Sequence, residues 1–241
     1  MKKYKPITVA DKKLQVAPNL TDYEKTYRGF DFDEAIKDEI EFFPHKRLNA
    51  AYNAIERHAK NENKNKVALY HLDENLNETK FTFFELNQLS NKFGNLLKSL
   101  GVEKGDRVFF FLPRTPAIYY GLLGTLKIGA IAGTLFSAFG PQALLDRLEN
   151  SGAKILVTNH ELKSRLATIK RKLPDLKHII VTEDLGKLLE KQSEELNTRK
   201  TKRTDPAFML YTSGTTGKPK GVLHTHQAII QQHLTAKWVL D

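Results

Sequence analysis

Along most of this chain, apolar residues follow two rhythms in turn. Short, continuous apolar runs bounded by turn residues read as buried strands: Val108–Leu112, Ala130–Thr134, Ile155–Val157 and His178–Val181. A further pair, Val67–Tyr70 and Lys80–Thr82, flanks the turn Asp73–Asn77. Between these runs the spacing changes to that of helices. Thr82 and Glu85 form a capping box, and the helix they open carries the stripe Leu86, Leu89, Phe93, Leu96, Leu97 and Leu100 before Gly101 ends it. A second helix runs through Tyr119, Leu122, Leu123 and Leu126 to Gly129, and Pro141 begins another that ends near Asn150 with Gly152 past it. Helices are also expected over His160–Lys172, Leu185–Leu196 and Gln227–Leu240, with Leu48–His58 upstream.

This alternation from residue 67 to 196 predicts an α/β fold with a mostly parallel sheet flanked by helices. Residues 1–45 are poorly periodic and broken by Pro6, Pro18 and Pro44. They read as an N-terminal arm on the body formed by residues 46–241, with short helices expected near Asn19–Tyr27 and Asp33–Phe43. Asn197–Asp205 reads as a basic linker.

The 241 residues suffice for one sizeable core. The apolar run near Ala117–Ile128 is interrupted by Gly121, Gly124 and Lys127, short of the ~20 residues that span a bilayer. No apolar leader segment is visible, so a cytoplasmic protein with no membrane partner is the simplest expectation. The absence of cysteine excludes disulfides, a thiol nucleophile and cysteine-based metal sites. A net charge of +10 suits a polyanionic ligand. The basic residues are scattered and no nucleic-acid-binding motif accompanies them, so nucleic acid is not an expected partner.

The candidate chemistry lies in Tyr211-Thr-Ser-Gly-Thr-Thr-Gly-Lys-Pro-Lys-Gly221, a polar loop between the apolar pieces Phe208–Tyr211 and Val222–Leu223. Glycines let backbone N–H groups turn toward an anion, hydroxyls add donors, and lysines add positive charge. These are the parts of a polyphosphate cradle. It is not the common P-loop: only two residues separate Gly214 from Gly217, and Pro219 follows Lys218 where a metal-binding hydroxyl would be required. His224, His226 and His233 match no metal-ligand spacing, so no metal site is expected. His226 is expected to pack the helix start behind the loop, and Tyr211 and Trp238 are expected in the core.

All positions of this string fit the phosphate-binding signature of the adenylate-forming enzymes, which it resembles. Lys46–His58 resembles a segment of the acetyl-CoA synthetases in that superfamily, with Glu56 where an aspartate is common. Phe81–Leu86, Val102–Val108, Leu126–Ile131 and Val222–His226 are similar to further segments of it. The resemblance implies that residues 46–241 form the N-terminal portion of the large, AMP-binding domain of the adenylate-forming fold. It also implies that the chain is the first part of a longer enzyme, inactive alone, with the acyl pocket, the adenine and ribose contacts and the catalytic lysine elsewhere.

The implied activity is an AMP-forming acyl-CoA ligase. It joins a carboxylate, most simply acetate, to CoA through an acyl-adenylate, with small-molecule partners ATP, a short-chain carboxylate and CoA. Thr212, Ser213, Gly214, Thr215, Thr216, Gly217, Lys218 and Lys220 are the implied ATP phosphate contacts. Lys163 and Arg165 correspond to the family's CoA-contacting stretch, though their spacing departs from its paired arginines. Mg²⁺ is implied as a companion of ATP, bridging its phosphates. Three other readings stay open: a medium-chain ligase, an amino-acid adenylation domain, and a non-catalytic nucleotide-binding fragment.

Overall fold

The computed structural model describes residues 19–213 and 217–240. Two short helices come first, α1 (Tyr23–Arg28) and α2 (Phe32–Ile36), each started by an aspartate. Asp22 accepts from Lys25 N and Asp31 from Glu34 N, satisfying amides that lack a helical acceptor. The helix expected over Asp33–Phe43 stops at Ile36. The expected helix at Leu48–His58 takes a different form, since Tyr52–Glu56 forms wider turns in which Arg57 N–H reaches Tyr52 O (3.0 Å).

Strands β1 (Val67–Leu72) and β2 (Glu78–Thr82) pair antiparallel in a separate two-stranded sheet. Thr82 then caps α3 (Phe83–Ser99), with both arms of the expected box present. There follow β3 (Arg107–Phe111), α4 (Pro116–Lys127), β4 (Ile131–Leu135), α5 (Pro141–Ser151), β5 (Ile155–Thr158), α6 (His160–Lys163), β6 (His178–Val181) and α7 (Thr182–Glu190). The chain closes with β7 (Pro206–Thr212), β8 (Lys220–Thr225) and α8 (His226–Thr235).

The main sheet has the order β6-β5-β3-β4-β7-β8. Its pairs are parallel except the last, β7 with β8, which is antiparallel. Strand β3 lies inside the sheet with helices over both faces, and this explains its unbroken apolar run. Val108 and Phe110 face the core built with α3, α4 and α7, while Phe109 and Phe111 face the core built with α5 and residues 162–176. All four are fully buried.

Helices α3 and α4 approach closely at Gly124, where a Cβ would stand 2.5 Å from Ser90 O. Across this seam lies Lys127, fully buried, its Nζ donating to Asn87 Oδ1 and Asn91 Oδ1 (both 2.6 Å). Burial pushes its ammonium down to about 7, with Glu56 partly opposing the shift.

Two expected helices changed form. Residues 160–172 are a short α-helix followed by tighter turns at Ser164–Leu166 and Lys170–Lys172. Leu162, Leu166 and Ile169 are still buried at helical spacing, so the pattern marked the buried face and not the hydrogen bonding. Helix α7 ends at Glu190 and not near Leu196. Beyond it the carbonyls of Ser193, Glu194 and Glu195 accept from Asn95 and Asn91 of α3, which hold that segment extended.

The basic segment 199–205 is sewn into the body. Leu48 N donates to Thr201 O (2.9 Å), Asn49 Nδ2 donates to Arg199 O (3.1 Å), and Arg203 pairs with Asp33 (3.3 Å). A third, smaller core joins Ile36, Ile40 and Leu48 to Ile230 and Leu234 of α8. Trp238 differs from expectation: it is half-buried at the surface, edge-on to Phe30 at 5.6 Å.

Candidate functional site

Strands β7 and β8 form a hairpin whose register ends at the pair Thr212–Lys220. The polar loop leaves from this pair at the carboxyl end of β7. β7 runs parallel to β4, so the loop emerges beside the carboxyl ends of the parallel strands, where open α/β sheets bind ligands. Pro219 is half-buried, whereas Ser213, Gly217, Lys218 and Lys220 are exposed. Gly217 has φ +102°, a backbone angle that L side chains rarely adopt. Among the described residues neither Lys218 nor Lys220 forms a salt bridge, so both cations are free for an anion. Gly214, Thr215 and Thr216 lie outside the described residues.

The loop's entry is anchored from one side. Tyr211, half-buried against the second core, donates its hydroxyl to Arg147 O (3.0 Å) and Asn150 Oδ1 (2.7 Å) of α5. Burial raises its phenol pKa, so the hydroxyl remains a donor. Across the hairpin a Cβ at Gly221 would lie 3.2 Å from Met209 Sδ and 3.3 Å from Tyr211 Cζ, so a side chain there crowds the ring.

Next to this hairpin an open cleft of ≈ 540 Å³ spans the carboxyl ends of β3, β4 and β7, between Arg114, Phe136, Ser137, Leu210 and Tyr211. Arg165 reaches its rim. Its Nη1 donates to Ser137 O (2.7 Å) and Phe139 O (3.0 Å), so the guanidinium braces the loop that follows β4. Lys163, at the end of α6, is exposed. The two residues thus differ: one braces a loop through its Nη1, the other is an exposed surface cation.

The histidines are separated by role. His224 stacks on Phe208 (4.5 Å, 9°). His226 is fully buried at the start of α8, where its Nδ1 accepts from Ala50 N (3.1 Å). It packs the helix start, but at the opposite end of β8 from the phosphate loop. His233 Nε2 meets Glu39 Oε2 (3.0 Å). Among the described residues no group of three or more histidines and carboxylates is placed to hold a metal ion.

Sequence reasoning missed the tie from Tyr211 to α5, the bracing by Arg165 and the Ala50–His226 bond. Each joins residues far apart in sequence, and periodicity carries no signal for such contacts.

The glycine- and lysine-bearing loop thus leaves the carboxyl edge of a parallel sheet beside an open cleft, the place where open α/β sheets bind ligands. The profile of the AMP-binding enzyme family matches residues 55–240, and the chain belongs to that family. It is 48% identical over 234 residues to an acetyl-coenzyme A synthetase of Bacillus subtilis, covering 92% of this chain and 40% of that protein. An acetyl-coenzyme A synthetase of Methanothrix thermoacetophila is 36% identical over 220 residues, covering 81% of this chain and 33% of the other. Among solved structures, an acyl-CoA synthetase of Brucella canis superposes with a TM-score of 0.77 at 32% identity, over 87% of this chain and 39% of that one. An anthranilate CoA ligase in complex with anthranoyl-AMP gives 0.71 at 29% identity, over 79% and 35% of the two chains. The chain thus spans about 40% of the length of the Bacillus subtilis relative.

Proposed function

We propose that the protein carrying this chain is an AMP-forming acyl-CoA ligase acting on acetate. The observation that carries the reading is the free cationic loop at the sheet's carboxyl edge, together with the match to acetyl-coenzyme A synthetases over 92% of the chain.

The reaction has two displacements. A carboxylate oxygen attacks the α-phosphorus of ATP, the bond from that phosphorus to the β-bridging oxygen breaks, and pyrophosphate leaves. The CoA sulfur then attacks the acyl carbon of the adenylate, its proton passes to solvent or a base, and AMP leaves. Little covalent work falls to the protein, so holding the phosphates and balancing their charge are the main tasks. Thr212, Ser213, Gly214, Thr215, Thr216 and Gly217 donate through hydroxyl or backbone N–H to the β- and γ-phosphates. Lys218 meets the departing pyrophosphate, and Lys220, opposite Thr212 in the hairpin, aligns the loop or touches ATP. Mg²⁺, as a companion of ATP, would help to neutralise the phosphate charge.

CoA carries phosphates of its own. The exposed ammonium of Lys163 is the better contact for them, with Arg165 shaping the rim through Ser137 and Phe139. In this reading residues 46–241 are the first part of the AMP-binding domain, residues 1–45 are an arm laid on it, and the protein works in the cytoplasm.

A screen of acetate, propionate and butyrate by carboxylate-dependent ATP–pyrophosphate exchange tests the assignment. Acetate should support the fastest exchange. Exchange with none of the three would overturn the ligase reading, and a preference for butyrate would overturn acetate.

A further inference from the structure

The cleft beside the phosphate loop takes wall residues from separate elements. Phe136 and Phe139 come from the loop after β4, and Tyr211 comes from the end of β7. Arg147 of α5 does not line the cleft, yet it touches both of these elements. Its guanidinium carbon lies over the Phe139 ring, 4.1 Å from the ring centre, and over the Tyr211 ring at 5.8 Å. Both distances fall within the ~6 Å at which a cation is attracted to a ring face.

Hydrogen bonds do little to place this guanidinium. Nη1 donates to Ala143 O (2.8 Å) one turn back in α5, while Nε is buried with no hydrogen-bond partner. Among the described residues Arg147 forms no salt bridge. The neighbouring Asp146 instead accepts from Gln142 (2.9 Å). An unmade buried donor is unfavourable, so the two rings, and not a polar partner, hold the head where it is.

The contacts continue on both sides. Arg147 O accepts from Tyr211 Oη (3.0 Å), and Tyr211 precedes Thr212, which pairs with Lys220 at the neck of the phosphate loop. On the other side Phe139 meets Phe136 edge-on at 5.9 Å, and Phe136 is exposed in the cleft. One chain of contacts thus runs Phe136, Phe139, Arg147, Tyr211, Thr212.

We infer that Arg147 is a positioning residue, which ties the loop after β4 to the neck of the phosphate loop so that the cleft wall and the phosphate site keep one alignment. A ligand that displaces Phe136 or Phe139 shifts the guanidinium and, through Tyr211, the Thr212–Lys220 pair. The catalytic consequence rests on the proposed ligase reading; the mechanical tie does not.

The test uses the protein carrying this chain, in two measurements. The first is amide hydrogen exchange read by mass spectrometry, with no substrate present. Arg147→Met keeps much of the side-chain volume and removes the cation. It should quicken exchange about two- to fivefold in both segments 136–140 and 208–213. Phe139→Leu leaves Arg147 in place and should quicken exchange at 208–213 as well, which decides the matter even where Arg147→Met fails to fold. Faster exchange confined to α5, or an unmoved 208–213 segment in Phe139→Leu, overturns the tie. The second is acetate-dependent ATP–pyrophosphate exchange. Each variant should run about two- to fivefold slower per folded molecule, and the double variant no slower than the worse single one, because both break the same link. Effects that multiply in the double variant, or single variants that lose thermal stability at an unchanged rate, overturn the positioning role. A wild-type protein without exchange would fail the ligase reading alone, and the substrate-free measurement would still decide the tie.

Discussion

Thr212 and Lys220 face each other across the β7–β8 pair and close the neck of the phosphate loop. The residue before Thr212, Tyr211, is tied to α5 through its hydroxyl, which donates to Arg147 O and Asn150 Oδ1. The two ends of the loop are thereby held on rigid elements.

Lys218→Ala should raise the ATP requirement of adenylation about 10- to 100-fold, the equivalent of losing one charge-assisted hydrogen bond of roughly 1.5–3 kcal/mol. Lys218 is exposed and unpaired among the described residues, so unfolding free energy should move by no more than about 0.5 kcal/mol. Steady-state kinetics in ATP alongside urea unfolding checks both. A large loss of stability with an unchanged ATP dependence would make Lys218 structural.

Tyr211→Phe keeps the ring against the second core and removes the bonds to Arg147 O and Asn150 Oδ1. Stability should fall by about 1–2 kcal/mol, and the loop's alignment should suffer with it, slowing pyrophosphate exchange several-fold. Wild-type exchange in this variant would mean that the tie to α5 serves folding only.

The fold was legible where one element's own residues decide it. His178–Val181 is a strand with the expected bounds, Thr82 and Glu85 form their capping box, and the run at Val108–Leu112 announced a strand covered on both faces. It was not legible where distant side chains decide. Nothing in Leu185–Leu196 signals that Asn91 and Asn95 will take the carbonyls of residues 193–195. The site divides the same way. The loop's chemistry and its flanking strands are written locally, whereas the cleft beside it needs three strands brought into register, and Arg165 looks like a free cation until Ser137 and Phe139 arrive next to it.

Lys127 should make stability depend on pH in a window set by burial. In the folded chain its ammonium titrates at about 7, against an ordinary 10.5 when unfolded. Between these values the unfolded chain holds a proton that the folded chain lacks, so stability rises as pH increases from 7 to 10.5. The contribution is at most roughly 5 kcal/mol over the window. Urea unfolding of wild type and Lys127→Met from pH 7 to 10 should show a steeper rise for wild type. Parallel profiles would mean that the ammonium stays charged between Asn87 and Asn91.

Gly124→Ala should cost about 1–3 kcal/mol, because the added methyl meets the backbone at Ser90 O, 2.5 Å away, and cannot be relieved by a side-chain rotation. A drop in thermal midpoint is the readout. A neutral result would show that α3 and α4 can separate at this seam.

In the proposed reaction the loop of residues 212–220 holds the phosphates of ATP while an acyl-adenylate forms. Acetate-dependent ATP–pyrophosphate exchange by the Thr216→Ala variant of the protein carrying this chain tests it most directly. The exchange rate should fall by about two orders of magnitude, the cost of losing one donor that stabilises developing charge, with the unfolding midpoint unchanged. Exchange at the wild-type rate would contradict the claim.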